Sequence, residues 1–201
     1  MNFFENFSLL AQPWWVNLFI LIPFIAYFVW RPSGLKITKR QLLTTLLFAI
    51  GFGFVEAAVV IYLRAAVGLL PGYGGALSDV AQLSSDIYRQ AEILGHLPYN
   101  LLALEISREA ATMIMMVGIS ILAVKGHRER WGIFFWTFAV WDIIYYASLY
   151  TTIGWPSSLT DLDVLFLFPA PWFSQVWFPI LISLLMVAAV LLAKKPAKKL
   201  S

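Results

Sequence analysis

The sequence predicts an all-α integral membrane protein, a bundle of five transmembrane helices with its N-terminus outside and its C-terminus inside the cell. Of its 201 residues, 61% are hydrophobic and only 12% are charged, whereas about a quarter of the residues in a soluble domain are charged. Five apolar stretches are long enough to cross a bilayer. The basic residues concentrate in the segments that join alternate stretches.

Each predicted span is an apolar run that polar or basic residues interrupt. The first run is flanked by Trp14 and Trp30, which suit the two membrane interfaces. The second contains Gly51 and Gly53, where a neighbouring backbone can approach closely. The five spans are predicted at residues 14–30, 41–63, 100–124, 131–151 and 175–193.

Two connecting segments are predicted to stay on the outer side without crossing the membrane. Residues 65–99 begin with glycines and Pro71 and continue as an amphipathic stretch, which predicts a turn and a short surface or re-entrant helix. Residues 152–174 are broken by Pro169 and Pro171 and are too short to span, so they predict an interfacial or re-entrant flap.

The distribution of lysine and arginine predicts the orientation. All but three of the 14 basic residues lie in the segments 31–40, 125–130 and 194–199. Because basic loops stay in the cytoplasm, the N-terminus is placed outside and the protein in a bacterial inner membrane, with the lipid bilayer as a partner. The net charge of +3 then reflects topology, so no nucleic-acid partner is predicted.

One stretch of the third span, Leu101–Met116, carries an unusual set of ionisable groups. Glu105, Arg108 and Glu109 have the i, i+3, i+4 spacing that puts them on one face of a helix. Charge inside a span is costly, so this face should contact protein or water and not lipid. We therefore expect the remaining helices to be arranged around this stretch.

Polar residues in two other spans are predicted to join the same layer. Asp142, Tyr145 and Tyr146 share one face of the fourth span, and Glu56 is a lone acid in the second span. Measured from the outer ends of their spans, the four acids lie roughly 6–14 Å deep at ~1.5 Å per residue. With Arg108 as the one base nearby, the surplus acids need protons, a bound cation or a cationic substrate.

Three functions remain open for this layer, of which we favour the first. It binds a cation or a divalent metal ion, it belongs to an intramembrane enzyme that acts on a lipid or isoprenoid-like substrate by acid–base chemistry, or it is the polar core of a structural accessory subunit. The carboxylates that would bind the metal or act as catalytic groups, with a histidine as a further metal ligand, are Glu56, Glu105, Glu109, Asp142 and His96. The remaining ligand-binding candidates are Arg108, Tyr145, Tyr146, Trp141 and Trp155.

Five spans are few for a complete transporter, which usually builds its site between repeats. We therefore expect a homo-oligomer or a subunit of a larger membrane complex.

Several segments resemble those of an uncharacterised family of small bacterial multi-span membrane proteins. They are Phe54–Arg64, Arg108–Thr112, Trp141–Tyr146, Gly154–Pro156 and Asp163–Trp172. The resemblance covers about residues 45–190 and implies a multi-span fold, and it brings no known activity with it.

Overall fold

The computed structural model describes residues 11–66, 77–84 and 99–195, and these are mostly helical. A 3-10 helix, Trp14–Ile20, leads directly into α1, Leu21–Trp30. The other described helices are α2, Lys39–Ala66, α3, Leu77–Ser84, α4, Tyr99–Ala123, α5, His127–Ile153, and α6, Trp177–Ala193. The described strands are β1, Ala11–Gln12, β2, Leu162–Phe166, and β3, Trp172–Gln175.

Three helices are long and apolar enough to cross a membrane, namely α4, α5 and the part of α2 from Lys39 to Leu63. The segment Trp14–Trp30 and α6 are shorter apolar helices. Each predicted span therefore coincides with a helical segment, and its ends agree to within about one helical turn. The coarse prediction of a mostly helical chain with helices suited to a membrane is confirmed.

The central helix is α5, so the prediction that the bundle is arranged around Leu101–Met116 is wrong. Helix α5 packs against α2, α3, α4 and α6, and 67% of its apolar stretch is buried. Only 22% of the apolar stretch of α4 is buried, and its residues Leu104, Ile114 and Leu122 are exposed. A single polar stripe needs protein on one side only, and the rest of α4 is aliphatic surface that suits lipid.

Helices α2 and α5 approach each other closely at Gly53. A Cβ atom on Gly53 would lie 2.7 Å from the carbonyl oxygen of Trp141, closer than real Cβ contacts. The close approach predicted for this glycine is therefore confirmed. A Cβ atom on Gly51 would have no neighbour within 4 Å among the described residues, so the same prediction is wrong for that part of the chain.

A small antiparallel sheet in the order β1-β3-β2 closes one end of the bundle. Strands β2 and β3 form a hairpin over residues 162–175, and Ala11 in β1 pairs with Ser174 in β3. The prediction of a non-spanning flap fits this segment, but the all-α prediction missed the sheet. Short apolar runs such as residues 162–166 have no periodicity that separates a strand from a helix segment.

The predicted outer segment 65–99 is described only in part. Residues 77–84 form α3, in which Val80 and Ser84 are fully buried, and this helix packs against α5 and α2. A short helix is thus present in the predicted segment, and its buried residues Val80 and Ser84 face the bundle. Whether it is a surface or a re-entrant helix stays a prediction. The predicted turn at Pro71 lies outside the described residues.

The basic segments meet at the opposite end of the bundle from the sheet. The backbone N–H of Lys36 donates to the Glu129 carboxylate at 3.1 Å, and the N–H of Leu35 donates to the carbonyl of Ala193 at 2.8 Å. The Arg128 guanidinium donates to the carbonyl of Val29 at 2.9 Å. The described parts of all three basic segments thus form one end of the molecule.

Candidate functional site

A cavity of about 780 Å³ lies along α5 and reaches the β2–β3 hairpin. Its wall is built from the 3-10 helix, α1, α2, α4, α5, α6 and the hairpin, with Ser84 from α3. Most of the side chains in the wall are aliphatic or aromatic, and the ionisable ones gather towards the hairpin. The cavity therefore combines a long apolar part with one polar end.

Helix α5 contributes a continuous row of aromatic rings to the cavity wall. The spacing of alternately three and four residues puts all of them on one helix face. The centroids of successive rings lie 5.5–6.2 Å apart, and the row extends over ~21 Å at ~1.5 Å per residue. We call this row the aromatic stripe, and its members are Trp131, Phe134, Phe138, Trp141 and Tyr145.

Arg108 pairs with two carboxylates from different helices. Its Nε donates to both oxygens of Glu105 at 2.9 and 3.0 Å, as the i, i+3 spacing favours. Its Nη1 pairs with Glu56 of α2, which also accepts a hydrogen bond from the Thr112 hydroxyl at 3.3 Å. This ion-paired group fastens α2 to α4, although the two helices have little other packing contact.

Glu109 fastens the hairpin to α4. Both of its carboxylate oxygens accept the backbone N–H of Leu167, at distances of 2.9 and 3.1 Å. The Glu109 side chain is buried, and Leu167 lies between β2 and β3. Glu109, which the sequence predicts to lie in a polar layer, thus also fastens the hairpin over one end of the cavity.

Two further acids of the cavity wall have hydroxyl partners. Asp142 of α5 accepts a hydrogen bond from the Ser183 hydroxyl of α6 at 2.8 Å. Asp163 of β2 accepts one from the Tyr146 hydroxyl at 3.0 Å, and it is only 1% exposed. Sequence reasoning missed Asp163 and Ser183. The available signal for Asp163 was an acid placed directly before the apolar run 164–168.

The polar end of the cavity has a surplus of acids. It holds five carboxylates and one guanidinium among the described residues. Arg108 offsets part of the charge of its two partners, whereas the remaining acids accept hydrogen bonds from neutral donors. We call this group the acidic cluster, and its members are Glu56, Glu105, Arg108, Glu109, Asp142 and Asp163.

Two indole N–H groups in the cavity wall are unusual. The Nε1 atoms of Trp141 and Trp172 are buried and have no acceptor among the described residues. A buried donor without an acceptor costs about 1–3 kcal/mol. Both groups therefore gain if a molecule in the cavity supplies an oxygen acceptor.

The structure brings most of the sequence-predicted site residues to this one cavity. On its wall lie Glu56, Glu105, Arg108, Glu109, Asp142, Tyr145, Tyr146 and Trp141. Trp155 is instead buried in an apolar cluster, with its ring 6.5 Å from that of Tyr146. His96 lies outside the described residues.

The described residues do not form a set of ligands for the predicted divalent metal ion. Within residues 11–66, 77–84 and 99–195, no three His, Asp or Glu side chains lie close enough to hold one metal ion. The carboxylates are held apart by Arg108, the Leu167 N–H and the Ser183 hydroxyl. Metal binding stays a prediction from the sequence.

The family resemblance also stays a prediction. No protein-family model, curated protein or solved structure is significantly similar to this chain.

Proposed function

We propose that this chain is a five-span inner-membrane protein whose cavity binds a long-chain amphipathic molecule with a positively charged head group. The observation that carries the proposal is the cavity itself, with its apolar length and its acid-rich end. The cation that the sequence predicts is then the head group of the ligand. The expected homo-oligomer or complex partners stay part of the proposal.

Helix lengths support five spans. A 3-10 helix rises ~2.0 Å per residue, so the 7 residues of 3-10 helix and the 10 residues of α1 together reach ~29 Å. The 17 residues of α6 reach ~26 Å at ~1.5 Å per residue. Both lengths are close to the ~30 Å of a bilayer's hydrocarbon core.

The shared basic end supports the orientation. Segments 31–40, 125–130 and 194–199 are separated in the sequence by pairs of proposed spans, and their described parts contact one another. A membrane protein retains such segments in the cytoplasm. The hairpin, the acidic cluster and the N-terminus then belong to the outer side.

Cysteine labelling tests this orientation in a chain that has no cysteine of its own. In intact cells, a membrane-impermeant maleimide is expected to modify Ser158→Cys, in the exposed loop before β2, and to spare Ser33→Cys. Both residues are exposed serines, so each serves as the other's control. Labelling of Ser33→Cys alone would invert the proposed topology.

The apolar part of the cavity fits a hydrocarbon chain. Its volume falls within the roughly 300–1,000 Å³ typical of small-molecule sites. The aromatic stripe offers an unbroken apolar surface that leads away from the acidic cluster. Burial of a chain there is favourable by about 0.8 kcal/mol for each CH₂ group removed from water.

The acidic cluster favours a cationic head group. Electrostatic attraction is stronger in an apolar site than in water, and two of its acids, Glu109 and Asp142, accept hydrogen bonds from neutral donors of the described residues. The rings of Trp141 and Tyr145 add the cation–π attraction that aromatic faces provide. The indole N–H groups of Trp141 and Trp172 can donate to an oxygen of the same head group.

An enzyme acting on this ligand is the second candidate. The observation that favours it is that Glu109 and Asp142 lie on the cavity wall and accept hydrogen bonds from neutral groups, so each can hold or release a proton beside the head group. A carboxyl group in that position can act as a general acid or base. Turnover of the bound amphipath would distinguish this candidate from simple binding.

Two probes of equal chain length test the head-group preference. Dodecyltrimethylammonium and dodecyl sulfate are titrated into the purified protein in nanodiscs of zwitterionic lipid, with empty nanodiscs to correct for partitioning. We expect the ammonium probe to bind at least tenfold more tightly, and Asp142→Asn to reduce that preference while keeping the hydrogen bond from Ser183. Equal affinity of the two probes would contradict the proposed head group.

A further inference from the structure

Helices α1 and α4 both line the cavity, and among the described residues they have little or no packing contact with each other. Resting on the proposed function, we propose that the cavity opens between these two helices and that the ligand enters there from the outer half of the bilayer, so that the natural ligand is a molecule already dissolved in the membrane. The head-group preference alone determines neither the source of the ligand nor the route by which it enters.

The two helices beside the opening pack on different neighbours. Helix α1 packs against α6, whereas α4 packs against α5 and more lightly against α2. Both sides nevertheless contribute to the same cavity wall. One side contributes Trp15 and Phe19 from the 3-10 helix and Ile22 from α1. The other side contributes Ile106, Ala110 and Met113 from α4.

The part of α4 that lines the cavity is apolar and only partly covered. Ala110 is exposed, and Ile106 and Met113 are half-buried. These residues lie within a helix suited to span the membrane. An opening bordered by this face of α4 faces hydrocarbon, since the exposed surface of a spanning helix contacts lipid.

The hairpin covers the end of the cavity that would otherwise face water. Residues 164–169 form part of the cavity wall, and the Leu167 N–H donates a hydrogen bond to the Glu109 carboxylate of α4. On the other side, the Trp172 ring lies 5.2 Å from that of Trp15 and 5.1 Å from that of Phe19. These contacts hold the hairpin against α4 on one side and against the 3-10 helix on the other, which favours the proposed side route over one through the hairpin.

The polarity of the cavity matches a lipid of the outer leaflet. The acidic cluster lies towards the hairpin end, and the aromatic stripe leads from it towards the basic end. With the hairpin outside, a bound molecule has its head group outward and its chain inward. An outer-leaflet amphipath can therefore slide in sideways without turning over.

Spin labelling tests the route. Nitroxides are attached to single cysteines at Met113 in the cavity wall, at Ile114 on the exposed side of α4 and at His127 at the basic end. Collision with oxygen, which concentrates in lipid, is compared with collision with a water-soluble nickel chelate. We expect Met113 to resemble Ile114, with an oxygen-to-nickel ratio several-fold above that of His127.

Two results would overturn the lateral route. A label at Met113 that meets the nickel chelate as readily as His127 indicates a cavity open to water, and one that meets neither reagent indicates a closed cavity. Ile106→Cys, a half-buried residue of the same wall, repeats the measurement if Met113→Cys does not fold. Either result leaves the probe-binding test intact, so failure of the route is distinct from failure of the proposed ligand.

Discussion

Replacing Arg108 with alanine is expected to destabilise the protein by about 3 kcal/mol. Removal of one partner of a buried ion pair costs roughly 3–5 kcal/mol, because the other charge stays buried without compensation. The lower end of this range applies because the Arg108 side chain is still 23% exposed. Thermal unfolding in nanodiscs, calibrated by denaturant unfolding in mixed micelles, measures the loss.

Second substitutions show which carboxylates Arg108 compensates. Glu56→Gln or Glu105→Gln in the Arg108→Ala background should recover part of the stability, because each removes a charge that the guanidinium contacts. Asp142→Asn should recover none, because Asp142 is paired with Ser183. Equal recovery by all three variants would contradict the pairing.

A pair of glycine substitutions should act in opposite directions. Gly53→Ala is expected to cost about 1–3 kcal/mol, the range for overpacking, because its Cβ would press on the Trp141 carbonyl and separate α2 from α5. Gly51→Ala meets no neighbour and should be neutral or stabilising by up to about 1 kcal/mol, as alanine favours a helix. Equal melting temperatures for the two variants would rule out the close contact of these helices.

The helices could be predicted from the sequence because apolar run length is a local property. The run from Trp14 to Trp30 is recovered in full, and the helical period correctly placed Glu105 beside Arg108. The sheet could not be predicted in the same way. Its strands are short, and β1 pairs with a strand more than 150 residues later in the chain.

The side-chain contacts between different helices also could not be predicted from local sequence patterns. The contact of Arg108 with Glu56 joins residues 52 apart in sequence, and the bond from Leu167 to Glu109 depends on where the hairpin turns back. The central place of α5 follows from small buried residues such as Gly132 and Ala139, which let neighbours approach. Such packing is a property of several helices together, so a charged stripe on α4 was a misleading guide to the centre.

Binding of the ammonium probe to a matched pair of α4 variants tests the central claim most directly. Ala110 and Ala111 are adjacent and both exposed, but only Ala110 belongs to the cavity wall. Ala110→Trp, which places an indole in the cavity, should weaken binding of dodecyltrimethylammonium at least tenfold, and Ala111→Trp should bind it like the wild type. Unchanged affinity in both variants would contradict a ligand site in this cavity.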